Sequence, residues 1–263
     1  MQEVAFIVAG FIVGLIVGLT GVGGGSLMTP ILIFFFGIKP HLAIGTDLLF
    51  AAITKLGGTV RLARSGLVDW RIVGSLSAGS IPAALLTLYV LHRLGPADAG
   101  VQRAMTLTLG VALLLTAAAM LYRAARGRVL PAALPQAQQR RAAQPRHWSL
   151  PLLLGAAVGT LVTLTSVGAG AIGVSVLLLI YPLLPLPRIV AADIAYAVPL
   201  TLVAGLGHAS LGSVDWSLLA LLLAGSLPGI WLGAHLIDRV HERLIRSALS
   251  VLLAWAGVKL IAI

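Results

Sequence analysis

The sequence contains no cysteine and few charged side chains. Without cysteine, the chain can form no disulfide, no cysteine-ligated zinc site and no thiol nucleophile. Charged residues make up 10% of the 263 residues, whereas an ordinary soluble domain has about 25%, so too few charges are present to cover a water-exposed surface. With 8 acidic residues and 6 histidines, a dense metal site is not expected either, and no cofactor is predicted. This composition excludes a soluble enzyme, a disordered chain and a nucleic-acid-binding domain.

Apolar residues and glycine are abundant instead. Apolar residues make up 59% of the chain, glycine occurs 30 times, and the mean hydropathy is +1.04. A helix needs about 20 apolar residues to cross a bilayer, and the sequence predicts an all-α, polytopic membrane protein. Its apolar segments are Val4–Thr20, Leu27–Ile38, His41–Val60, Trp70–Leu91, Val101–Tyr122, Leu150–Thr165, Ala171–Leu184, Ile189–Leu206, Trp216–Ile237 and Leu244–Ile261. The second segment of each half is too short to span, which predicts a half-helix or a broken pair with the segment before it.

Residues 123–148 separate the first five segments from the last five. They include several arginines, prolines and glutamines but no acidic residue, which predicts a solvent-exposed cytoplasmic linker under the positive-inside rule. The net charge of +10 is then a topology signal rather than a phosphate-binding surface. At the N-terminus, Glu3 and the lack of a basic residue before Val4 argue against a signal peptide. We therefore expect the first segment to belong to the mature protein.

The two halves of the sequence match at a nearly constant offset. The matched pairs are Gly10 and Gly14 with Gly155 and Gly159, Thr20–Gly25 with Thr165–Gly170, Gly45–Asp47 with Ala191–Asp193, Gly66–Trp70 with Gly212–Trp216, and Gly79–Pro82 with Gly225–Pro228. Self-similarity of this kind indicates a repeated architecture. We predict a first transmembrane repeat over residues 1–122, the linker over 123–148 and a second transmembrane repeat over 149–263.

The basic residues predict how the two repeats lie in the membrane. If the linker is inside, the loop around Arg61 and Arg64 is also inside. The basic loop 239–246 is inside only if each repeat crosses the membrane an odd number of times, so that the repeats are inverted. Both termini and the loop 209–214, which has no Lys or Arg, are then outside. The exceptions on the outer side are Lys39, His92, Arg93 and Arg103.

The motif Gly18–Gly25, its degenerate copy Thr165–Gly170 and the two Gly-x-Val-Asp-Trp motifs resemble the TauE/SafE-like sulfite exporter family, also called the toluene-sulfonate uptake permeases. The resemblance covers nearly the whole chain outside the linker. It implies a multi-pass carrier of the bacterial inner membrane, with sulfite, thiosulfate and organosulfonates among the substrates of the family. Asp47 is a departure, because the family often has a small polar residue there, whereas both repeats of this chain carry an aspartate.

The two glycine-rich motifs are the first candidate site. Glycine costs up to about 1 kcal/mol in a helix interior, so each motif predicts a helix break followed by a new helix near Ser26 or Ala171. The first amides of a helix have no intrahelical partner and carry the positive end of its dipole, and glycine lets an anion approach them closely. The predicted substrate-binding residues of this kind are Thr20, Gly21, Gly23, Gly24, Gly25 and Ser26 in the first repeat and Thr165, Ser166, Gly168, Ala169, Gly170 and Ala171 in the second.

Close helix packing is the alternative role for these glycines. Gly10, Gly14 and Gly18 follow the small-xxx-small spacing of helix contacts, and we assign packing to them. For the residues around the two breaks we favour anion binding. In a carrier built from inverted repeats, the two helix starts are expected to face each other near the membrane midplane.

Ionisable residues inside the apolar segments form the second candidate site. A carboxylate there is costly unless it is paired, protonated or facing a cavity, and we predict that Asp47 and Asp193 are a proton-coupling pair. The alternative is that each aspartate caps a helix start or accepts bonds from the neighbouring glycine motif. Lys55 is predicted either to attract the anion or neutralise Asp47, or to extend to the cytoplasmic surface. Tyr196 is a further predicted substrate contact, and His208 is a weaker candidate.

Together these features predict a secondary transporter of small anions, with sulfite or an organosulfonate as substrate and with proton coupling as an open part of the prediction. It works by alternating access around a midplane site between the repeats. The alternative functions are an anion channel, a membrane-embedded enzyme and a structural scaffold. A channel needs a continuous polar lining, and an enzyme needs a catalytic cluster in the bilayer. A scaffold does not need matched helix breaks. We expect a small anion and the lipid bilayer as partners, with no catalytic residues, no metal and no nucleic acid.

The motifs Asp69-Trp70 and Asp215-Trp216 are predicted as helix N-caps with interfacial tryptophans.

Overall fold

The computed structural model describes residues 2–20, 25–125, 149–236 and 242–262, which form helices and the loops that join them. The helices are α1 (Gln2–Thr20), α2 (Gly25–Phe36), α3 (Pro40–Arg64), α4 (Trp70–Leu94), α5 (Ala99–Ala125), α6 (Ser149–Thr165), α7 (Ala171–Ile180), α8 (Leu186–Ser210), α9 (Trp216–Leu236) and α10 (Glu242–Ile261). These described residues contain no β-strand, and the predicted all-α fold is confirmed. Most of the predicted linker lies outside the described residues, so its exposure and its side of the membrane stay predictions.

The helices α1, α3, α4, α5, α8 and α9 are long and apolar enough to cross a membrane. Large apolar side chains on these helices are exposed, for example Leu86 at 65% and Trp231 at 66%. Apolar surface of this extent is unfavourable in water but matches the hydrocarbon of a bilayer. The prediction of a polytopic membrane protein is therefore confirmed.

The helices after the glycine-rich motifs are short, as predicted. α2 has 12 residues and α7 has 10, so they extend over roughly 18 and 15 Å, which is about half of a bilayer core. α2 is followed by Gly37, which has φ 65°. α7 ends at Ile180 rather than at the predicted Leu184 because Pro182 cannot continue the helix.

The helices α4 and α9 begin at the predicted aspartate caps. Asp69 Oδ1 accepts a hydrogen bond from a first-turn amide at 3.0 Å, and Asp215 Oδ1 accepts one at 2.9 Å. The following tryptophans, Trp70 and Trp216, are each 61% exposed. Both N-caps are confirmed, with Asp69 accepting from the Arg71 amide and Asp215 from the Leu218 amide.

The two halves contact each other through equivalent helices. In the repeat, α6 is equivalent to α1 and α9 is equivalent to α4. α1 packs against α9, and α6 packs against α4 in the same way. The other two contacts, α3 with α8 and α5 with α10, each join two equivalent helices. A Cβ on Gly14 would overlap the backbone of Ser226, and a Cβ on Gly159 would overlap the backbone of Ser80, the counterpart of Ser226. The packing role of Gly10 and Gly14 is confirmed, because neither has room for a side chain. This exchange of contacts is typical of a two-fold relation between the halves, while their inversion across the membrane stays a prediction.

The helices α3 and α8 pack against each other and are more buried than the other four candidate spans. A Cβ on Gly205 of α8 would contact the Leu49 side chain of α3. Further along, the Thr59 hydroxyl of α3 donates to the Ile194 carbonyl of α8 at 3.5 Å. The two helices are therefore antiparallel. Since each carries one predicted aspartate in its N-terminal half, the two carboxylates lie towards opposite ends of the pair.

Candidate functional site

Asp47 on α3 is buried against the start of α2. Thr29 Oγ1 donates to Asp47 Oδ2 at 2.5 Å, and both residues are 0% exposed. The other carboxylate oxygen, Oδ1, has no hydrogen-bond partner among the described residues. The side chain of Ser166, in the loop between α6 and α7, also approaches this carboxylate. Asp47 therefore lies where the short helix of the first repeat meets the glycine-rich loop of the second.

The loop between α6 and α7 has a backbone that favours glycine. Gly168 and Gly170 have φ of 136° and 127°, and Ser166 has φ 60°. Residues with side chains rarely adopt such conformations. Thr165, the last residue of α6, fixes the start of the loop because its hydroxyl accepts a hydrogen bond from the Val167 amide at 3.1 Å. The loop is thus a defined turn in which glycine is required at two positions.

The helix α7 begins at Ala171 without a side-chain cap from Gly170. The amides of Gly173 and Val174 donate to the carbonyls of Gly168 and Gly170 at 3.1 and 2.9 Å. The amides before them have no acceptor inside the helix. A Cβ on Gly170 would meet nothing within 4 Å, so open space adjoins the helix start. A helix start of the predicted kind is thus present in the second repeat, and anion binding there stays a prediction.

The first glycine-rich motif is described only at its edges. Gly21, Gly23 and Gly24 lie outside the described residues. α1 ends at Thr20, α2 begins one residue before Ser26, and Ser26 is 8% exposed. The predicted helix break and the roles of these glycines therefore stay predictions in this repeat.

Asp193 on α8 lies against the start of α7, as Asp47 lies against the start of α2. It is 2% exposed, and a Cβ on Gly173 would overlap its Oδ1. Tyr196, one turn along α8, is 1% exposed and interacts electrostatically with Asp193. The Tyr196 hydroxyl has no hydrogen-bond partner among the described residues. In both repeats, the short helix thus begins against a buried carboxylate of the following long helix.

Lys55 lies between the two carboxylates. It is two turns after Asp47 on α3 and one turn before Thr59, which contacts the carbonyl next to Asp193. Its ammonium interacts electrostatically with both carboxylates. Lys55 is only 8% exposed, which favours a role beside the carboxylates over extension to the membrane surface.

The structure brings the predicted residues into two groups and adds two residues that the sequence reasoning missed. One group joins Asp47 and Ser166 with Thr29, and the other joins Asp193, Tyr196 and Lys55 with Gly173. Thr29 had a signal in the sequence, because it is a polar residue in a short apolar helix just after a break. Gly173 had none, since its contact depends on how α7 packs against α8.

His208 lies outside these two groups. Its Nε2 is 2.9 Å from the Thr163 carbonyl in the last turn of α6, and the residue is 0% exposed. The ring therefore ties α8 to the end of α6, just before the loop with Ser166. This contact is a structural link rather than a position at either helix start.

The arrangement places two kinds of negative charge in competition. The positive end of a helix dipole stabilises a nearby carboxylate and equally stabilises a bound anion. Two negative charges in one buried site repel each other, so a bound anion favours protonation of the carboxylate. No group of three or more His, Asp or Glu side chains that could hold a metal ion occurs in the described part of the chain. Anion binding at the helix starts and proton exchange at the carboxylates stay predictions.

Comparisons with known proteins identify the family. The family model described as sulfite exporter TauE/SafE matches residues 6–260. The probable membrane transporter protein YjnA of Bacillus subtilis (strain 168) is 36% identical over 269 residues, which cover 99% of this chain and 100% of the relative. The probable membrane transporter protein YdhB of the same organism is 29% identical, over 95% of this chain and 97% of the relative. No solved structure matches the chain. The relatives are named as transporters and not as enzymes, and this chain belongs to the TauE/SafE sulfite exporter family of membrane transporters.

Proposed function

We propose that the protein is a proton-coupled secondary transporter of small sulfur-containing anions, such as sulfite or an organosulfonate, in the bacterial inner membrane. One observation carries this proposal: in each repeat a buried carboxylate, Asp47 or Asp193, packs against the short helix that comes after a glycine-rich motif. The helix starts bind the anion, and the carboxylates carry the proton. Lys55 and Tyr196 lie beside Asp193 and contribute to the same site.

The backbone of the helix starts is suited to a sulfur oxyanion. Such an anion needs several hydrogen-bond donors when it leaves water, and the apolar segments offer few donor side chains. The uncapped start of α7 supplies amides, and the open space beside Gly170 leaves that backbone accessible. Amide donors add no permanent charge, so release of the anion stays favourable. The family description, which names a sulfite exporter, supports this class of substrate.

Proton coupling follows from the competition at the helix starts. An ionised Asp47 or Asp193 occupies the positive end of its helix and repels a second negative charge. Protonation removes that repulsion, so the anion and the proton bind together. Release of the proton on the other side of the membrane restores the carboxylate and favours release of the anion. Both aspartates are buried, as is typical of carboxylates in a membrane protein that bind and release a proton during transport.

Alternating access is the proposed mechanism of movement. The equivalent contacts of α1 with α9 and of α6 with α4 support it, because a repeat pair with exchanged contacts can rock between two equivalent arrangements. In the proposed orientation, the linker 123–148 is cytoplasmic and both termini are outside. The substrate site then lies between the repeats, near the middle of the membrane.

Purified protein in liposomes tests this proposal. A pH gradient is applied across the liposome membrane, with one side more acidic than the other. We expect sulfite or ethanesulfonate to accumulate above its equilibrium level in the compartment opposite the acidic side. The double variant Asp47→Asn/Asp193→Asn is expected to lose the response to the pH gradient, because no carboxylate is left to carry the proton. Asp98→Asn is the matched control, since Asp98 is an exposed carboxylate that accepts from the Gly100 amide at 2.8 Å outside the site.

Two outcomes of the liposome experiment contradict the proposal. Uptake that only equilibrates, without counterflow of labelled anion against unlabelled anion, would indicate an anion channel. A pH response that is unchanged in the double variant would leave the two aspartates as structural caps of the short helices.

A further inference from the structure

The buried charges of the described residues do not balance. Among the Asp, Glu, Lys and Arg side chains whose burial the structure describes, the buried ones are Asp47, Asp193 and Lys55. If all three are ionised, two carboxylates and one ammonium leave one negative charge in excess. A net charge inside a membrane protein is costly. The empty site is therefore neutral when the two carboxylates together hold one proton.

The single ammonium is an asymmetric feature of a duplicated site. The repeat counterpart of Lys55 is Thr201, which is 1% exposed and donates to the Ala197 carbonyl of its own helix at 2.8 Å. Thr201 thus carries no charge and has its hydrogen bond satisfied. The two carboxylates share one cation, whereas each has its own helix start.

A bound anion changes this balance in a definite way. One monovalent anion adds one negative charge, and a second proton on the carboxylates restores neutrality. Both Asp47 and Asp193 are then protonated, and the Lys55 ammonium balances the anion. A divalent anion would need a third proton, for which the described site has no further carboxylate. Helix-start amides stabilise the anion locally but do not change the net charge.

We propose that this site binds one monovalent anion together with one proton, that Lys55 is the counter-charge of the bound anion, and that divalent anions are selected against. The inference rests on the proposed function and adds to it the charge class of the substrate and the ratio of protons to anions. Sulfonates, which are monovalent, are direct substrates under this scheme. Sulfite is carried as hydrogen sulfite. The loaded site is electroneutral, so membrane potential does not drive the loaded step.

Proton uptake during binding measures the ratio directly. Ethanesulfonate, a monovalent anion, and thiosulfate, a divalent one, are added to the purified protein in a weakly buffered solution with a pH indicator, and affinity is measured in parallel. We expect about one proton taken up per ethanesulfonate bound. Thiosulfate, which leaves an uncompensated charge, should bind about a hundredfold more weakly.

Variants separate the contributions of the three charged residues. Lys55→Met should weaken ethanesulfonate binding about a hundredfold, whereas Lys39→Met, at an exposed lysine before α3, should not. Asp47→Asn/Asp193→Asn should still bind ethanesulfonate but take up no proton, because Lys55 alone balances the anion. If Asp47→Asn/Asp193→Asn does not bind ethanesulfonate, the number of protons that the wild type takes up per bound anion decides the question.

The other titratable groups near these helices need their own controls. Tyr196 faces Asp193, and the buried imidazoles of His41 and His208 lie at the α3 end nearest Asp47. His41→Gln and His208→Gln should each keep the proton uptake of the wild type. Loss of proton uptake in such a variant would show that the proton is taken up by the replaced residue and not by the carboxylates, and would overturn the inference.

The remaining outcomes distinguish this inference from the proposed function. Ethanesulfonate binding without proton uptake, or equal affinity for thiosulfate, overturns the inference while anion binding itself stands. Absence of binding for ethanesulfonate, thiosulfate and sulfite in folded protein overturns both.

Discussion

Thr29 Oγ1 and Asp47 Oδ2 are 2.5 Å apart, and this hydrogen bond joins the short helix α2 to the long helix α3. A hydroxyl that donates to a carboxylate stabilises its ionised form over its protonated form. Asp47 Oδ1 has no hydrogen-bond partner in the described part of the chain, and the Ser166 side chain also approaches the carboxylate, so Thr29 is one of the groups that set the charge of Asp47. The start of α2 and the protonation of Asp47 are therefore linked.

Replacing Thr29 with valine tests this link. Thr29→Val keeps the shape of the side chain but removes the donor, so protonation of Asp47 becomes easier. Because hydrogen bonds to charged groups contribute about 1.5–3 kcal/mol and one pH unit corresponds to about 1.4 kcal/mol, we expect anion binding to persist to a pH about one to two units higher. The measurement is the affinity for ethanesulfonate as a function of pH.

The matched control for this substitution is Thr54→Val on α3. The Thr54 hydroxyl donates to the Phe50 carbonyl of its own helix at 2.8 Å and does not contact the carboxylate. Its pH profile should match that of the wild type. An unchanged profile for Thr29→Val, or an equal shift in both variants, would show that Thr29 does not set the charge of Asp47.

The glycine at the start of α7 gives a second prediction. Gly170 has φ 127° and faces open space, so a valine there is strained and projects in front of the helix-start amides. An anion that loses two charge-assisted hydrogen bonds of about 1.5–3 kcal/mol each binds at least about a hundredfold more weakly. Gly170→Val should show this loss in a binding measurement with ethanesulfonate.

Gly74→Val is the control for the substitution at Gly170. Gly74 lies on α4, is exposed and also has open space at its Cβ position, but it is not part of a helix start. We expect Gly74→Val to bind the anion like the wild type. If folded Gly170→Val binds within a few-fold of the wild type, the start of α7 does not bind the anion.

Local sequence signals predicted much of the fold. The short helices and the N-caps at Asp69 and Asp215 follow from breaks and capping chemistry within a few residues. The predicted segment extends to Leu184, beyond the end of α7, because Pro182 cannot continue the helix. The contact of Asp193 with Gly173 was beyond prediction, since it depends on packing between helices and not on local pattern. The sequence likewise left two alternatives for Lys55, a role beside Asp47 or the anion and extension to the cytoplasmic surface, because its burial depends on packing between helices.

The helix contacts between repeats give a third prediction. Gly155 on α6 packs so closely on α4 that a Cβ would overlap the Leu76 carbonyl, and its counterpart Gly10 meets Leu222 in the same way. Overpacking of a tight contact costs about 1–3 kcal/mol. Gly155→Leu and Gly10→Leu should lower the melting temperature in detergent by similar amounts, whereas Gly74→Leu should not. A large loss in only one of the two would show that the contacts are not energetically equivalent.

The inverted arrangement is tested by labelling two equivalent loops. Ser65 follows α3 and Ser210 ends α8; both are exposed, whereas Ser213 is 0% exposed and unsuitable as a probe. Because the chain has no cysteine, Ser65→Cys and Ser210→Cys each carry a single reactive thiol. In an inverted pair, equivalent loops lie on opposite sides of the membrane. We expect an impermeant maleimide to label Ser210→Cys in intact cells and Ser65→Cys only after permeabilisation. A cysteine at Gln138 in the linker should behave like Ser65→Cys, and labelling of Ser65→Cys and Ser210→Cys from the same side would mean that the repeats are parallel.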